Sequence, residues 1–264
     1  MGLVKISDEV FTAPDPHLDG DGLRVWGGNG KVELHRCVFD FRNVPAEEQD
    51  EAVDCIKGAH VYFDGCVFIG CKKAVLCGNG DYPLEDHSGQ CTFSNCAFLG
   101  CGRRCPEVQD GVMAVMYKCW VHDWGVNHFD VRTFGARVSA DATLYINDSL
   151  FTRSHGIGFK NFWTDVANQI GECVNESGVL YALLHPWQAL KPGSLRAVDI
   201  GRSGRTRVAY WSNVLGSRHE YIGDKPDVLG VIQSIREACP DMTPFLGMPM
   251  DEYFVREVGR PWAR

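Results

Sequence analysis

A short alternation of apolar and polar residues recurs along the first half of the chain. Each copy has the order apolar, any, apolar, any, any, cysteine, any, apolar. The copies are "VELHRCVF" (32–39), "VYFDGCVF" (61–68), "CTFSNCAF" (91–98), "AVMYKCWV" (114–121) and "LYINDSLF" (144–151), in which Ser149 replaces the cysteine. The cysteine or serine positions lie 29, 30, 23 and 30 residues apart. An alternation with period two is typical of strands, and the Gly, Asn and Asp residues between copies mark turns.

Repeats of this length, without amphipathic helices between the strands, predict a solenoid. We expect an all-β parallel β-helix, because its stacked coils place equivalent positions in ladders through the core. One such ladder would contain Cys37, Cys66, Cys96 and Cys119. Free cysteine packs as a small apolar residue, so reduced core thiols are expected, with zinc ligation or disulfides as the alternative. The chain has no CxxC pair, which disfavours a structural zinc site.

The pattern changes after about residue 152, where the repeat becomes less regular. The segment "PDVLGVIQSIREACP" (226–240) has apolar residues at the spacing of an amphipathic helix, namely Val228, Val231, Ile232 and Ile235. We expect this helix to close one end of the core, because an open solenoid end exposes strand edges. The sequence therefore predicts a single domain, 1–264, with coils over about 17–215 and a helix and loop cap over about 216–264.

Composition and charge limit the classes of partner. Hydrophobic residues are 45% and charged residues 23% of the chain, which is typical of a globular protein. No apolar run approaches the roughly 18 residues that a membrane helix needs, so no membrane contact is expected. A net charge of −8 disfavours nucleic-acid binding, which depends on Lys and Arg. A polyanionic partner would need a local group of cations or a bound metal.

Acidic residues cluster in two segments that the solenoid would bring close together. Asp19 and Asp21 lie in a Gly-rich turn, and Asp50 and Asp54 lie in "DEAVD". Neighbouring coils of a β-helix are about 4.8 Å apart, which allows Asp21 and Asp54 to converge. Converging carboxylates favour a hard cation such as Ca²⁺, and solvated turn acids are the alternative interpretation.

Two basic residues follow the repeat at similar offsets. Lys73 lies seven residues after Cys66, and Arg104 lies eight residues after Cys96. On neighbouring coils their side chains would share one face of the solenoid. The alternative is that both are solvated surface charges.

Four segments in register resemble the calcium-dependent pectate lyases of polysaccharide lyase family one. They are "DGDGLRV", "DEAVDCIKGAH", "CKKAVLCGNGD" and "RCPEV". The resemblance implies a right-handed parallel β-helix that cleaves polygalacturonate by calcium-assisted β-elimination to 4,5-unsaturated products. It also implies a secreted or extracellular protein, although "MGLVKISDEV" lacks the pattern of a signal peptide.

The resemblance also assigns roles to individual residues. It implies that Asp19, Asp21, Asp50 and Asp54 bind Ca²⁺. It implies that Arg104 is the catalytic base, a role that requires nearby cations to favour a neutral guanidine. Residues implied to bind substrate are Lys57, Lys73, Gln109 and Arg137, of which Lys73 also takes a catalytic role and Gln109 replaces an arginine that is frequent in the family.

Two alternative functions keep the fold. One is a phage tail-spike or capsule-type β-helix that binds or cleaves another acidic polysaccharide. The other is a non-catalytic carbohydrate-binding or structural β-helix. A glycoside hydrolase is disfavoured, because no carboxylate pair stands out for acid–base work. The family's N-terminal coils are missing, so we expect self-association at the N-terminal end, where a strand edge would otherwise be exposed.

Overall fold

A computed structural model shows that the chain folds into a parallel β-helix with C-terminal helices. It describes residues 2–28, 30–78, 89–125, 135–138, 142–154, 198–200, 207–211, 214–215 and 228–258. Every named strand within these ranges pairs in parallel with its neighbours, in sheets of 7, 7 and 6 strands. The predicted all-β solenoid is therefore confirmed.

Each of the first six coils contributes one strand to each of three sheets, and the described part of the seventh coil contributes to the first two. The first sheet contains β1 (Gly2–Ser7), β4 (Gly30–His35), β7 (His60–Asp64), β10 (Gln90–Ser94), β13 (Met113–Tyr117), β16 (Thr143–Asn147) and β19 (Arg207–Trp211). The second sheet contains β2 (Val10–Phe11), β5 (Val38–Asp40), β8 (Val67–Ile69), β11 (Ala97–Leu99), β14 (Trp120–Trp124), β17 (Leu150–Ser154) and β20 (Val214–Leu215). The third sheet contains β3 (Leu23–Trp26), β6 (Glu51–Ile56), β9 (Lys73–Cys77), β12 (Glu107–Val108), β15 (Ala136–Val138) and β18 (Val198–Ile200).

The register of the second sheet reproduces the repeat in the sequence. Phe39 pairs with Phe68, and Phe68 pairs with Phe98 in the next coil. Their rings stack in the core with centroids 5.0 and 4.8 Å apart. Phe151 continues the ladder through its backbone, whereas its side chain lies outside the described residues. The apolar positions of the repeat therefore form the core ladder that the spacing predicted.

The solenoid begins earlier than the predicted boundary at about residue 17. Val10 and Phe11 pair with Val38 and Phe39, so a complete coil precedes the first predicted one. Glu9 occupies the position of the repeat cysteine in this coil, which is why a search based on cysteine missed it. The first strand, β1, forms an edge of its sheet with an exposed, partly apolar surface. Self-association through this edge stays a prediction.

A tight corner joins the first and second sheets in each of the first six coils. The residue at this corner adopts the left-handed conformation, with φ between 50° and 62° at Arg36, Gly65, Asn95 and Lys118. The repeat cysteine follows, buried, and its thiol donates to a backbone carbonyl, as Cys66 does to Leu34 at 3.3 Å. All eleven described cysteines are free and buried, in agreement with the prediction of reduced core thiols, and Cys173 lies outside the described residues.

The predicted C-terminal helix is present and buries the four predicted residues. It is α1 (Val228–Ala238), and it is followed by α2 (Thr243–Leu246) and α3 (Met250–Val258). The helices pack on the outer face of the second sheet, against residues of its strands such as Val67 and Trp120. They therefore cover a flank of the solenoid, whereas the sequence predicted that they would close its end. No helix in the described part of the chain has the length and apolarity needed to cross a bilayer.

Replacing Gly65 by alanine is expected to loosen the packing of α1. A Cβ atom at Gly65 would lie 2.2 Å from the carbonyl oxygen of Ala238, and the backbone has a φ of +62°. Gly100 is a matched control, because its φ is +61° and a Cβ atom there would meet no other atom within 4 Å. We expect both alanine variants to lose about 1 kcal/mol to backbone strain, and Gly65→Ala about 1–3 kcal/mol more. Urea unfolding measures both losses, and equal losses would contradict the contact between helix and corner.

Candidate functional site

Charged residues gather where the strands of the third sheet begin. Asp21 lies beside Glu51, whose backbone N–H donates to the Asp21 carboxylate at 3.0 Å. Glu51 is the register partner of Lys73, and Lys73 pairs with Arg103 in the next coil. Four successive coils therefore place two acidic residues and then two basic residues in one row, with neighbouring coils about 4.8 Å apart. The row consists of Asp21, Glu51, Lys73 and Arg103.

The acidic end of this row is buried and held by Arg24. Asp21 is 1% exposed, and its Oδ2 accepts from Arg24 Nε at 3.0 Å. Arg24 Nε also lies 3.2 Å from Asp54 Oδ2. Sequence reasoning missed Arg24, although it stands inside the quoted segment "DGDGLRV". Its guanidinium joins Asp21 and Asp54, which the coil spacing predicted to converge.

Lys73 and Arg104, which follows Arg103 in the chain, form ion pairs with three carboxylates, of which Glu51 and Glu107 were not singled out by the sequence analysis. Lys73 forms ion pairs with Asp50 and with Glu51, the latter at 3.1 Å. Arg104 forms ion pairs with Glu51 and with Glu107. Glu51 and Glu107 are 3% and 2% exposed, so both are buried beneath the cations. Glu51 directly follows Asp50, and Glu107 lies three residues after Arg104, and this proximity in the sequence was the available signal.

Arg137 extends the same network by one further coil. Glu107 and Arg137 are register partners, and Arg137 Nη1 lies 2.9 Å from Glu107 Oε1. Arg137 is therefore linked to Arg104 through a shared carboxylate. The network alternates in sign from Asp50 through Lys73, Glu51, Arg104 and Glu107 to Arg137.

The surroundings of Arg104 differ from what an arginine base requires. That hypothesis needs nearby cations that favour a neutral guanidine. The structure places the carboxylates of Glu51 and Glu107 against Arg104. These two contacts neutralise the charge of Arg104 and fix the position of its side chain.

Burial shifts the protonation of three groups in the network. Burial, opposed in part by Arg104, raises the pKa of Glu51 to about 7. Burial, followed by the charge of Asp21, raises the pKa of Asp54 to about 7. Burial, followed by the charges of Arg104 and Arg103, lowers the pKa of Lys73 to about 8. Glu51, Asp54 and Lys73 therefore have pKa values shifted towards neutral pH.

The acidic end offers an oxygen donor set that fits a hard cation. Asp21, Asp50 and Glu51 each present a carboxylate oxygen, and these atoms all lie within 4.8 Å of one another. Asp54 is 7% exposed, and its buried Oδ1 has no hydrogen-bond partner among the described residues. A cation with oxygen ligands would satisfy that atom and reduce the repulsion among the carboxylates.

Three predicted residues are not brought into this cluster. Asp19 is exposed, and it acts on Arg24 only through its charge. Lys57 follows β6 at the end opposite Glu51, and its ammonium lies 4.8 Å from the centroid of the Trp26 ring. Gln109 follows β12 and donates its backbone N–H to the carbonyl of Cys77 at 2.9 Å. The cluster therefore forms around the remaining predicted residues and Glu51.

Stability of the metal-free protein is expected to fall as pH rises from about 4 to about 7. The pKa of Asp54 is raised from 3.8 to about 7, so the folded state binds more protons than the unfolded state across this range. Because the folded state binds the extra protons, the free energy of unfolding decreases as pH rises. At about 1.4 kcal/mol for each unit of pKa shift, the total decrease is a few kcal/mol. Glu51, with a pKa raised to about 7, acts in the same direction.

Thermal unfolding in a chelator at several pH values measures this decrease. Asp54→Asn should make the decrease smaller, because the amide does not titrate and only the contribution of Glu51 remains. Asp251→Asn is the control, since Asp251 lies on α3, far along the chain from the cluster. A profile of Asp54→Asn that matches the wild type would contradict the assignment.

Comparisons with known proteins leave the family open. No protein-family model matches the chain. No curated protein matches it at a significant level.

Proposed function

We propose that the protein is a polysaccharide lyase that cleaves polygalacturonate by cation-assisted β-elimination. One observation carries the proposal. The carboxylates of Asp21, Asp50 and Glu51 lie within 4.8 Å of one another, and Lys73 and Arg104 contact the same cluster. A cation site beside two basic side chains, where the strands of the third sheet begin, suits a chain-like substrate that carries one carboxylate per sugar.

The reaction removes the proton on C5 of a uronate and expels the glycosidic oxygen from C4. Calcium, when bound, would neutralise the uronate carboxylate and stabilise the charge that develops next to it. Asp21, Asp50, Glu51 and the unpartnered Oδ1 of Asp54 are the residues that would hold it. A cation held by these residues would also explain how an acidic protein could bind a polyanion, because its positive charge would offset the charge of the uronate carboxylates.

The two basic side chains act directly on the substrate in this proposal. Lys73 binds the uronate carboxylate. The uronate then replaces Asp50 and Glu51 as the ion-pair partner of the Lys73 ammonium. Arg104 is the proton acceptor that the resemblance implies. Its guanidinium would first have to lose a proton, which the ion pairs with Glu51 and Glu107 oppose, so substrate would have to displace these carboxylates before a neutral Arg104 could accept the C5 proton. Arg137 supports Arg104 through Glu107.

Mass analysis of the products tests the type of reaction. Elimination releases a fragment that carries a 4,5 double bond and lacks the water that hydrolysis would add. We therefore expect polygalacturonate fragments that are lighter by one water than saturated oligomers. Saturated fragments alone would indicate a hydrolase and would contradict the proposal.

One feature of the site favours a second candidate, a β-helix of the tail-spike or capsule type that binds or cleaves another acidic polysaccharide. Arg104 is held by two buried carboxylates of the protein, a setting that opposes its role as the base in polygalacturonate elimination but leaves Lys73 and a bound cation able to bind another acidic polysaccharide. Binding of a different acidic polysaccharide in an affinity titration, with no change in polygalacturonate, would support this candidate. Tight binding and cleavage of polygalacturonate would exclude it.

A further inference from the structure

Three cysteines meet at the corner of the core between the first and third sheets. Cys55 lies on β6, Cys77 on β9 and Cys91 on β10. Cys55 and Cys77 are register partners in neighbouring coils. The three sulfur atoms all lie within 4.8 Å of one another, and each residue is at most 2% exposed. We call this group the thiol triad.

The thiol triad differs from the other buried cysteines in its hydrogen bonds. Each of the other eight described cysteines donates its S–H to a backbone carbonyl, as Cys96 does to Phe63 at 3.6 Å. Within the described ranges, no carbonyl accepts from the thiols of the triad, which contact one another instead. Backbone carbonyls therefore accept hydrogen bonds from the thiols of the other eight cysteines, whereas the three sulfur atoms of the triad face one another.

We infer that Cys55, Cys77 and Cys91 form a binding site for a thiophilic d¹⁰ cation, Cu(I). Thiolate ligands select soft cations over Mg²⁺ or Ca²⁺. No fourth His, Cys, Asp or Glu in the described part of the chain joins the group. Structural Zn²⁺ is almost always four-coordinate, whereas Cu(I) accepts three sulfur ligands in a plane.

The geometry of the triad suits such a site. A metal–sulfur bond of about 2.3 Å places three sulfurs in a plane about 4 Å apart, which the observed upper limit of 4.8 Å accommodates. The three ligands lie on strands, so little ordering is needed when the metal binds. The lack of a CxxC pair does not count against this site, because coil register, and not local spacing, brings the cysteines together.

Loading during refolding tests the inference, since the triad is closed to solvent in the folded chain. The full chain is unfolded and refolded without oxygen, with Cu(I) kept reduced or with Zn²⁺, and is then desalted. Elemental analysis should find about one copper per wild-type chain, and Cys91→Ser should hold at most about a tenth as much. Cys96→Ser is the matched control, because Cys96 is equally buried and lies outside the triad.

The outcomes separate clearly. Absence of copper in refolded wild-type protein, or equal copper in Cys91→Ser and Cys96→Ser, would overturn the site. Retention of zinc without copper would overturn the choice of Cu(I). X-ray absorption on the loaded wild type needs no variant to fold, and it should report three sulfur ligands at about 2.3 Å. Nitrogen or oxygen ligands would contradict the assignment.

Discussion

Arg104→Ala is expected to reduce turnover of polygalacturonate by about 10²–10⁴-fold, because a group that acts on the reacting atoms is removed. Calcium binding should remain, since Arg104 is not among the carboxylates that would hold the cation. Glu51 and Glu107 keep Lys73 and Arg137 as partners, so the buried carboxylates are not left without a cation. Initial rates with saturating substrate and a calcium titration by calorimetry measure the two effects separately.

Two further variants make the Arg104 test specific. Arg104→Lys keeps a positive charge but loses the forked guanidinium that contacts two carboxylates, so we expect it to remain strongly impaired. Arg36→Ala is the control, because Arg36 forms an exposed ion pair with Asp8 at the corner between the first and second sheets. Arg104→Ala with wild-type turnover would remove Arg104 from the mechanism.

Phe68→Ala is expected to lower the free energy of unfolding by about 3–5 kcal/mol, the range for deleting a fully buried aromatic ring. Phe68 is 0% exposed, and it stacks between Phe39 and Phe98 with centroids 5.0 and 4.8 Å away. Its loss would interrupt the core ladder in the middle of the solenoid. Urea unfolding followed by circular dichroism measures the change.

Phe11 provides the matched control from the same ladder. It stacks on Phe39 alone, at 4.6 Å, and is only partly buried at the end of the solenoid. Phe11→Ala should therefore cost roughly 1–2 kcal/mol, less than Phe68→Ala. A cost at Phe68 no larger than that at Phe11 would contradict a continuous ladder.

The sequence predicted the solenoid because its core positions repeat. Each coil must bury one face of its strands, so core residues such as Phe39, Phe68 and Phe98 recur once per coil. Their spacing in the sequence therefore indicates which residues pair between coils. The first coil escaped because Glu9 replaces the cysteine that served as the marker. The helix over 226–240 was predicted from its apolar face, but periodicity does not say which surface that face covers, and α1 packs on a flank.

The site was predictable only in part, for a physical reason. Coil spacing indicated that Asp21 and Asp54 approach each other, and Arg24 indeed contacts both. Spacing does not indicate which charges oppose one another across coils, so Glu51 and Glu107 were missed as partners of Arg104. Ion pairs across coils depend on register to the residue, and a shift by one residue would turn each side chain to the other face.

Polygalacturonate turnover, followed by ultraviolet absorbance of the unsaturated product, tests the central claim most directly. The assay is run at alkaline pH, first with added Ca²⁺ and then with a chelator in excess. The account predicts a steady rise in absorbance with Ca²⁺ that the chelator abolishes and that renewed Ca²⁺ restores. No rise, from protein shown to be folded and with Ca²⁺ present, would contradict it.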